Sequence, residues 1–319
     1  MKVVYFGTPA IAANILDVLL QNGVQVVAVV TKPDKPQGRQ QRLQPSAVKQ
    51  KIIEKYPHIP LLQPVKISTP EYCSVLQSYH ADVFVVVAYG EILKESILAI
   101  PPQGCINVHA SLLPKYRGAA PMHRAIMHGE KETGVTIMEM VAAMDAGDML
   151  LQVKTPISQD MNVGELEKIL EKIGGEALLE TLRDLTAKWA SKKAQDHRLV
   201  SFAPKITSEE CEIVWDQPVT VIHDLVRGVT PFPGAWCYVT FNNSFDSDKK
   251  KLKIKKTATT PMSAQDSPGT IIKYEGDSWL VATASGVLQI LEVQLEGKKA
   301  VSASEFIRGY PSLTMVTRC

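Results

Sequence analysis

Lys2–Thr31 reads KVVYFGTPAIAANILDVLLQNGVQVVAVVT, and two apolar periods alternate within it. Lys2–Gly7 is an almost continuous apolar run, the pattern of a strand buried on both faces. Ala10–Gln21 then puts Ile11, Ile15, Val18 and Leu19 on one helical face. Asn22-Gly23 is a helix stop, and Gln25–Thr31 is a second buried strand. Strand, helix and strand in so short a span begin a parallel, doubly wound sheet.

The pattern continues outward. Val83–Ala88 reads as a third buried strand and Cys105–Val108 as a fourth. Ala119–His128 reads as a short helix, Gly134–Met140 and Met149–Lys154 as later strands, and Gly164–Trp189 as a long amphipathic helix. The second half changes character after the polar stretch Ser191–Arg198. Val219–Gly228 reads as a helix. Ala235–Phe241, Lys251–Lys255, Gly269–Tyr274, Ser278–Thr283 and Gly286–Val293 read as short strands punctuated by Gly and Pro, the signature of a small barrel or sandwich. The expected division is an α/β domain over 1–189, a linker over 190–207 and a β-rich domain over 208–319.

A length of 319 residues suits two domains, and 45% apolar residues suffice for two cores. The longest apolar runs, Val26–Val30 and Val83–Ala88, are far short of the roughly 20 residues a spanning helix needs. The first residues lack a signal h-region and a small-residue cleavage site, so a cytoplasmic protein is expected, with no membrane partner. A net charge of +2 excludes a globally basic nucleic-acid binder and leaves only local patches. Five cysteines, at 73, 105, 211, 237 and 319, form no Cys-x-x-Cys pair. They fit a reducing compartment, and no metal site is expected.

The turn Gly7-Thr8-Pro9 follows a strand and opens a helix, where free amides can hold phosphate. The Gly-x-Gly-x-x-Gly pattern is missing and Pro9 removes a donor, which disfavours a dinucleotide site. A tight turn with Pro at the first helical position is expected. Lys32-Pro-Asp-Lys35-Pro-Gln-Gly-Arg39-Gln-Gln-Arg42 gathers four cations against Asp34 at the end of the second strand. It reads as a loop, either an arm contacting phosphates or a solvated variable segment.

Cys105-Ile-Asn107-Val-His109 carries the sharpest chemistry. Alternation sends Asn107 and His109 to one face near the carboxyl end of a core strand. An amide donor beside an imidazole suits acyl transfer, with one group for a developing oxyanion and the other for a proton. Met144-Asp145-Ala-Gly147-Asp148 is a turn that could supply a carboxylate to orient His109. Spacing leaves Asp145 and Asp148 both open. In Lys249–Lys256 the pattern turns Lys251, Lys253 and Lys255 outward together, equally a phosphate track or a guarded sheet edge.

Asn107-Val-His109, Ser111-Leu-Leu-Pro-Lys-Tyr-Arg-Gly-Ala-Ala-Pro121 and Met144-Asp-Ala-Gly-Asp-Met149 resemble the folate-dependent formyltransferases. Phe6-Gly-Thr-Pro9, Thr31–Arg39, Val86–Gly90 and Gly134–Met138 support this, and so do Ala203-Pro-Lys-Ile206, Ile213-Val-Trp215 and Gly297-Lys-Lys299 beyond the linker. The resemblance implies a Rossmann-like catalytic domain followed by an OB-like domain, with 10-formyltetrahydrofolate as donor. Asn107, His109 and Asp145 would be catalytic. Folate would lie against Tyr89, Gly90, Ile92, Leu93 and the segment Ser111, Leu112, Leu113 and Pro114. The basic loop, the Ala-Pro-Lys stretch and a second domain of matching length favour initiator methionyl-tRNA as acceptor, for translation initiation. An amino sugar or another small amine is the alternative. Lys35, Arg39, Arg42, Lys205, Lys251, Lys253 and Lys255 would hold the tRNA. A monomer is expected.

Overall fold

In the computed structural model the described residues are 1–37, 42–241 and 249–316, with Gln37 described by its backbone only. Arg39 lies outside them. In chain order the elements are β1 (Lys2–Gly7), α1 (Ala10–Gln21), β2 (Gln25–Val30), β3 (Lys35–Gln37), β4 (Arg42–Gln44), α2 (Ala47–Lys55), β5 (Leu61–Leu62), α3 (Pro70–Ser78), β6 (Val83–Val87), α4 (Glu95–Leu98), β7 (Cys105–His109), α5 (Pro121–Met127), β8 (Glu132–Glu139), β9 (Met149–Pro156), α6 (Val163–Arg183) and α7 (Leu185–Ala190). They continue with α8 (Val219–Gly228), β10 (Ala235–Phe241), β11 (Lys250–Thr259), β12 (Ile271–Glu275), β13 (Ser278–Thr283), β14 (Gly286–Leu295), β15 (Val301–Ser302), α9 (Ala303–Gly309) and β16 (Leu313–Val316). Two compact units result. The first comprises Met1–Ala119, Thr133–Thr155 and Glu167–Ala203; the second comprises Ala120–Glu132, Pro156–Leu166 and Pro204–Cys319.

The first unit is built on a sheet of order β5-β2-β1-β6-β7-β8-β9. β1 runs parallel to β2 and β6, β6 parallel to β7, and β8 antiparallel to β7. The apolar run that opens the sequence is the centre of this sheet, and Val3–Phe6 are fully buried. The strand order reverses between β1 and β6, so their carboxyl ends, Gly7 beside Val87, mark the switch point where open α/β sheets bind ligands. Pro9 sits one residue earlier than the spacing predicts, as the N-cap of α1. Thr8 Oγ1 donates to the carbonyl of Tyr89 at 2.8 Å, tying the first turn to the loop after β6.

Two stretches differ from the sequence reading. The long helix breaks at Asp184, whose side chain accepts from Ala187 N and caps a separate α7. The basic loop contains a hairpin: β3 and β4 pair Lys35 with Gln44 and Gln37 with Arg42. Its apolar residue Leu43 is exposed, so no buried alternation announced it.

The second unit carries an antiparallel, barrel-like sheet of order β12-β13-β14-β11-β10-β16, with β15 paired to β14. Helix α5 belongs to this unit although it lies in the first half of the sequence. Arg124 of α5 is buried, clasps Glu210 through two hydrogen bonds of 2.7 and 3.1 Å, and donates to the carbonyl of Pro204. The guanidinium holds the Glu210 carboxyl below its usual range. Trp279 is fully buried, stacked 5.6 Å from Phe306 and edge-on to Tyr274 at 5.0 Å. Trp279→Ala should destabilise this unit by about 3–5 kcal/mol in chemical denaturation. Its indole Nε1 has no hydrogen-bond partner, so Trp279→Phe should cost clearly less. Equal losses would show that ring packing is not what Trp279 contributes.

Candidate active site

β7 alternates, placing Asn107 and His109 on one face as the pattern predicts, with His109 buried and Asn107 partly accessible. In register, Asn107 lies opposite Met138 and His109 opposite Thr136 of β8. His109 Nε2 lies 2.9 Å from the carbonyl of Tyr116. A carbonyl only accepts, so Nε2 carries the hydrogen and Nδ1 is the nitrogen left for chemistry. Nδ1 faces Asp145 Oδ2 at 3.7 Å. That distance suits a charge pair and is too long for a hydrogen bond, which leaves Nδ1 able to serve a third group.

Asp145 adopts a left-handed conformation, φ 49°, on the β8–β9 turn. Its Oδ2 accepts from Gly118 N at 2.8 Å. Asp148 points to other partners: Lys192 Nζ lies 3.3 Å from its carboxylate and 2.5 Å from that of Glu139. These carboxylates hold the Lys192 ammonium above its usual pKa, led by the Glu139 hydrogen bond. Geometry thus separates the two aspartates that spacing left open. Cys105, two residues before Asn107, is no rival nucleophile, because burial pushes its thiol up to about 12.

The segment after β7 is held from below. Ser111 is fully buried and its hydroxyl donates to the Lys115 carbonyl at 2.7 Å. Thr136 Oγ1 donates to the Ser111 carbonyl and accepts from Leu113 N, and Gln152 Nε2 donates to the Leu113 carbonyl. These bonds fix the backbone of Ser111–Pro114 and leave Leu112 and Pro114 half-buried. Beyond β6, Tyr89 and Leu93 are buried, whereas Gly90 and Ile92 are exposed, Ile92 by 69%. The Tyr89 hydroxyl is buried without a partner, and burial, with Glu91 adding, raises its pKa. β6 and β7 are adjacent and parallel, so both segments leave the same edge of the sheet. Of the Tyr89 and Ile92 side chains only Ile92 is accessible at that edge, since the Tyr89 ring packs in the core against Phe6.

The cationic positions are scattered. Lys35 and Arg42 are exposed on the paired legs of the hairpin, and Lys205 is exposed in the second unit. Lys251, Lys253 and Lys255 do alternate with buried Leu252 and Ile254, yet their ammonium groups are engaged. Lys251 sits 3.5 Å over the Trp236 ring, Lys253 donates to the Pro233 carbonyl and Lys255 to the Pro231 carbonyl. Burial, with neighbouring Lys253, lowers the pKa of Lys255. Among the described residues no three His, Cys, Asp or Glu side chains gather as metal ligands, and no helix is long and apolar enough to cross a membrane. The sequence reading missed Gln195 and Arg117. Gln195 is buried in a stretch that reads as polar linker, with no local pattern to single it out.

Comparison with known proteins identifies the family. The model of the formyl transferase family matches residues 1–182, and that of the formyl transferase C-terminal domain matches 205–311. The chain is 50% identical over 309 residues to the methionyl-tRNA formyltransferase of Protochlamydia amoebophila, covering 97% of this chain and 95% of the relative. It is 42% identical over 313 residues to that of Chlamydia pneumoniae, covering 98% and 96%. Among solved structures, a sugar 3N-formyl transferase, WlaRD, aligns with TM-score 0.64 at 19% identity over 94% of this chain and 99% of that one. HypX from Aquifex aeolicus in complex with tetrahydrofolic acid aligns with TM-score 0.62 at 15% identity over 96% of this chain and 47% of that one. At those identities the two structures speak for the fold alone. Family models over both halves and close relatives over nearly the full length mean that this chain belongs to the formyl transferase family, among the methionyl-tRNA formyltransferases.

Proposed function

We propose that this protein transfers a formyl group from 10-formyltetrahydrofolate to the α-amine of methionine carried by initiator tRNA, as a cytoplasmic monomer. The observation that carries the residue assignment is the His109 Nδ1–Asp145 Oδ2 pair at 3.7 Å, set on the same strand face as Asn107. The amine nitrogen bonds to the formyl carbon, the bond from that carbon to the folate nitrogen breaks, and one amine proton passes to the leaving nitrogen. Between those events the formyl oxygen carries negative charge. The side-chain amide of Asn107 and the Nδ1–H of a charged His109 donate to it. Asp145 balances the imidazolium and accepts the amine proton, directly or through water. An α-amine has a pKa near 7.7–8.0, so no strong base is required.

Tyr89, Gly90, Ile92, Leu93 and the rigid Ser111–Pro114 backbone would receive the folate. Lys35, Arg39 and Arg42 of the basic loop, Lys205, and Lys251, Lys253 and Lys255 would receive the tRNA. Lys253 and Lys255 each spend one of three donors on a carbonyl and Lys251 rests over a ring, which leaves N–H groups on all three for phosphate. The catalytic domain over 1–189, linker over 190–207 and tRNA-binding domain over 208–319 complete this reading.

A transfer assay with formylated folate tests it, offering charged initiator tRNA, charged elongator tRNA for methionine, and a nucleotide-linked amino sugar. Formylation of the initiator species is expected, with apparent affinity falling steeply as salt rises. Transfer to the amino sugar with none to charged tRNA would overturn the acceptor assignment.

A further inference from the structure

Residues 192–203 run beside the catalytic pair and touch both of its supports. Lys193 and Met149 exchange backbone hydrogen bonds at the start of β9. Gln195 Nε2 then donates to the carbonyls of Asp145 and Gly147, at 2.8 and 2.7 Å. Its Oε1 accepts from Arg117 Nε and Nη2, at 3.0 and 2.7 Å. Further on, Ser201 Oγ accepts from Tyr116 N at 3.0 Å, Arg117 N donates to the Ser201 carbonyl at 2.9 Å, and Ala203 N donates to the Arg117 carbonyl at 2.7 Å. Tyr116 presents the carbonyl that fixes the His109 ring, and Asp145 faces its other nitrogen. One strap therefore holds both groups that orient His109. A Cβ on Gly118, whose N–H binds Asp145, would stand 2.8 Å from the Ala203 carbonyl, so the strap lies against that backbone without slack.

We infer that Gln195, clamped by Arg117, is a positioning residue that sets the Asp145 turn against His109, so that the strap leading toward the second half of the chain governs turnover. Arg117 and Gln195 are both buried, and neither needs the substrate to find its partners. A buried guanidinium whose acceptor in turn donates to two carbonyls of one turn is more than a surface tie, because each loss leaves polar groups unsatisfied. The turn it holds includes Asp145 in a left-handed conformation, φ 49°, which a residue with a side chain keeps only where its surroundings enforce it. The inference rests on the catalytic reading proposed above.

Gln195→Glu is the discriminating substitution. The carboxylate still accepts from Arg117, now as an ion pair, but it cannot donate to the Asp145 and Gly147 carbonyls. We expect kcat to fall by about ten- to thirtyfold, with KM for charged tRNA and for the folate donor unchanged within about twofold. The kcat loss should vanish in an Asp145→Asn background, because a residue acting through the Asp145 carboxylate has nothing left to act on. Gln195→Met, which removes donor and acceptor without adding charge, should show the same coupling, and it serves if Gln195→Glu folds poorly by circular dichroism. Equal fold losses in the wild-type and Asp145→Asn backgrounds, or a change confined to KM, would overturn the inference while the formyl-transfer reading stood. If the wild-type protein transferred no formyl group, that reading would fall instead. Amide exchange at residues 143–148 would still test the clamp: faster exchange in Gln195→Met is expected, and unchanged exchange refutes it.

Discussion

His109→Ala is expected to lower kcat by about a thousandfold, at the upper end of the range for losing one donor to a developing oxyanion. The side chain is buried, its Nε2–H is fixed by the Tyr116 carbonyl, and its Nδ1 faces Asp145 at 3.7 Å. The Cys105 thiol, four residues away on the same strand, is held protonated at neutral pH by its burial and offers no substitute. The substitution leaves the hairpin and the lysine positions untouched, so tRNA binding measured by filter retention should persist while single-turnover transfer collapses. A loss smaller than about tenfold, with the melting temperature unchanged, would mean that His109 only packs at the end of β7.

Gly147→Ala should be nearly as damaging, by a different route. A Cβ at this position would lie 2.1 Å from the Glu139 carbonyl oxygen and 2.9 Å from its carbon. Both are backbone atoms, and Glu139 N donates to the Asp148 carbonyl at 2.8 Å, so neither side yields without opening the base of the turn. Relief requires a shift of more than about 1 Å two residues from Asp145, which should cost about a hundredfold or more in kcat. Gly309→Ala is the control, since nothing stands within 4 Å of its would-be Cβ. If Gly147→Ala turned over like the wild type, the turn would be more plastic than its hydrogen bonds imply, and the weight placed on the Gln195 clamp would fall with it.

These two substitutions differ in how visible they were in the sequence. His109 announced itself: period-two alternation, an amide two residues earlier and a strand end suffice to suggest acyl transfer. Gly147 read as an ordinary turn glycine. Its constraint comes from a close approach of backbone to backbone, between residues eight apart, that no local pattern encodes. Gln195 was less visible still, because a lone glutamine in a polar stretch has the composition of solvent-exposed chain. Only the fold shows it buried, with Arg117 on one side and the Asp145 turn on the other.

The lysine stripe makes a related point. Alternation in Lys251–Lys255 identified Leu252 and Ile254 as the buried face. It could not show that Lys251 would lie over Trp236 or that Lys253 and Lys255 would bond the carbonyls of Pro233 and Pro231. A long side chain reaches partners well beyond its own strand, and binary pattern says nothing of where its charge ends. The pairing of β3 with β4 escaped for the opposite reason: Lys35, Pro36 and Arg42–Gln44 are exposed, so they carry no apolar periodicity.

By itself the sequence determined the doubly wound sheet, because its central strands are buried on both faces and must be written as unbroken apolar runs such as Val3–Phe6 and Val83–Val87. It also determined the barrel-like character of the second half and placed Asn107 and His109 on a common face, since period and spacing are local properties. Tertiary structure alone decided that α5 belongs with the second unit, that Asp145 and not Asp148 faces His109, and that residues 192–203 hold the pair together. Each of those depends on where hydrogen bonds between distant residues are satisfied, and a buried polar group takes whatever partner the fold brings to it.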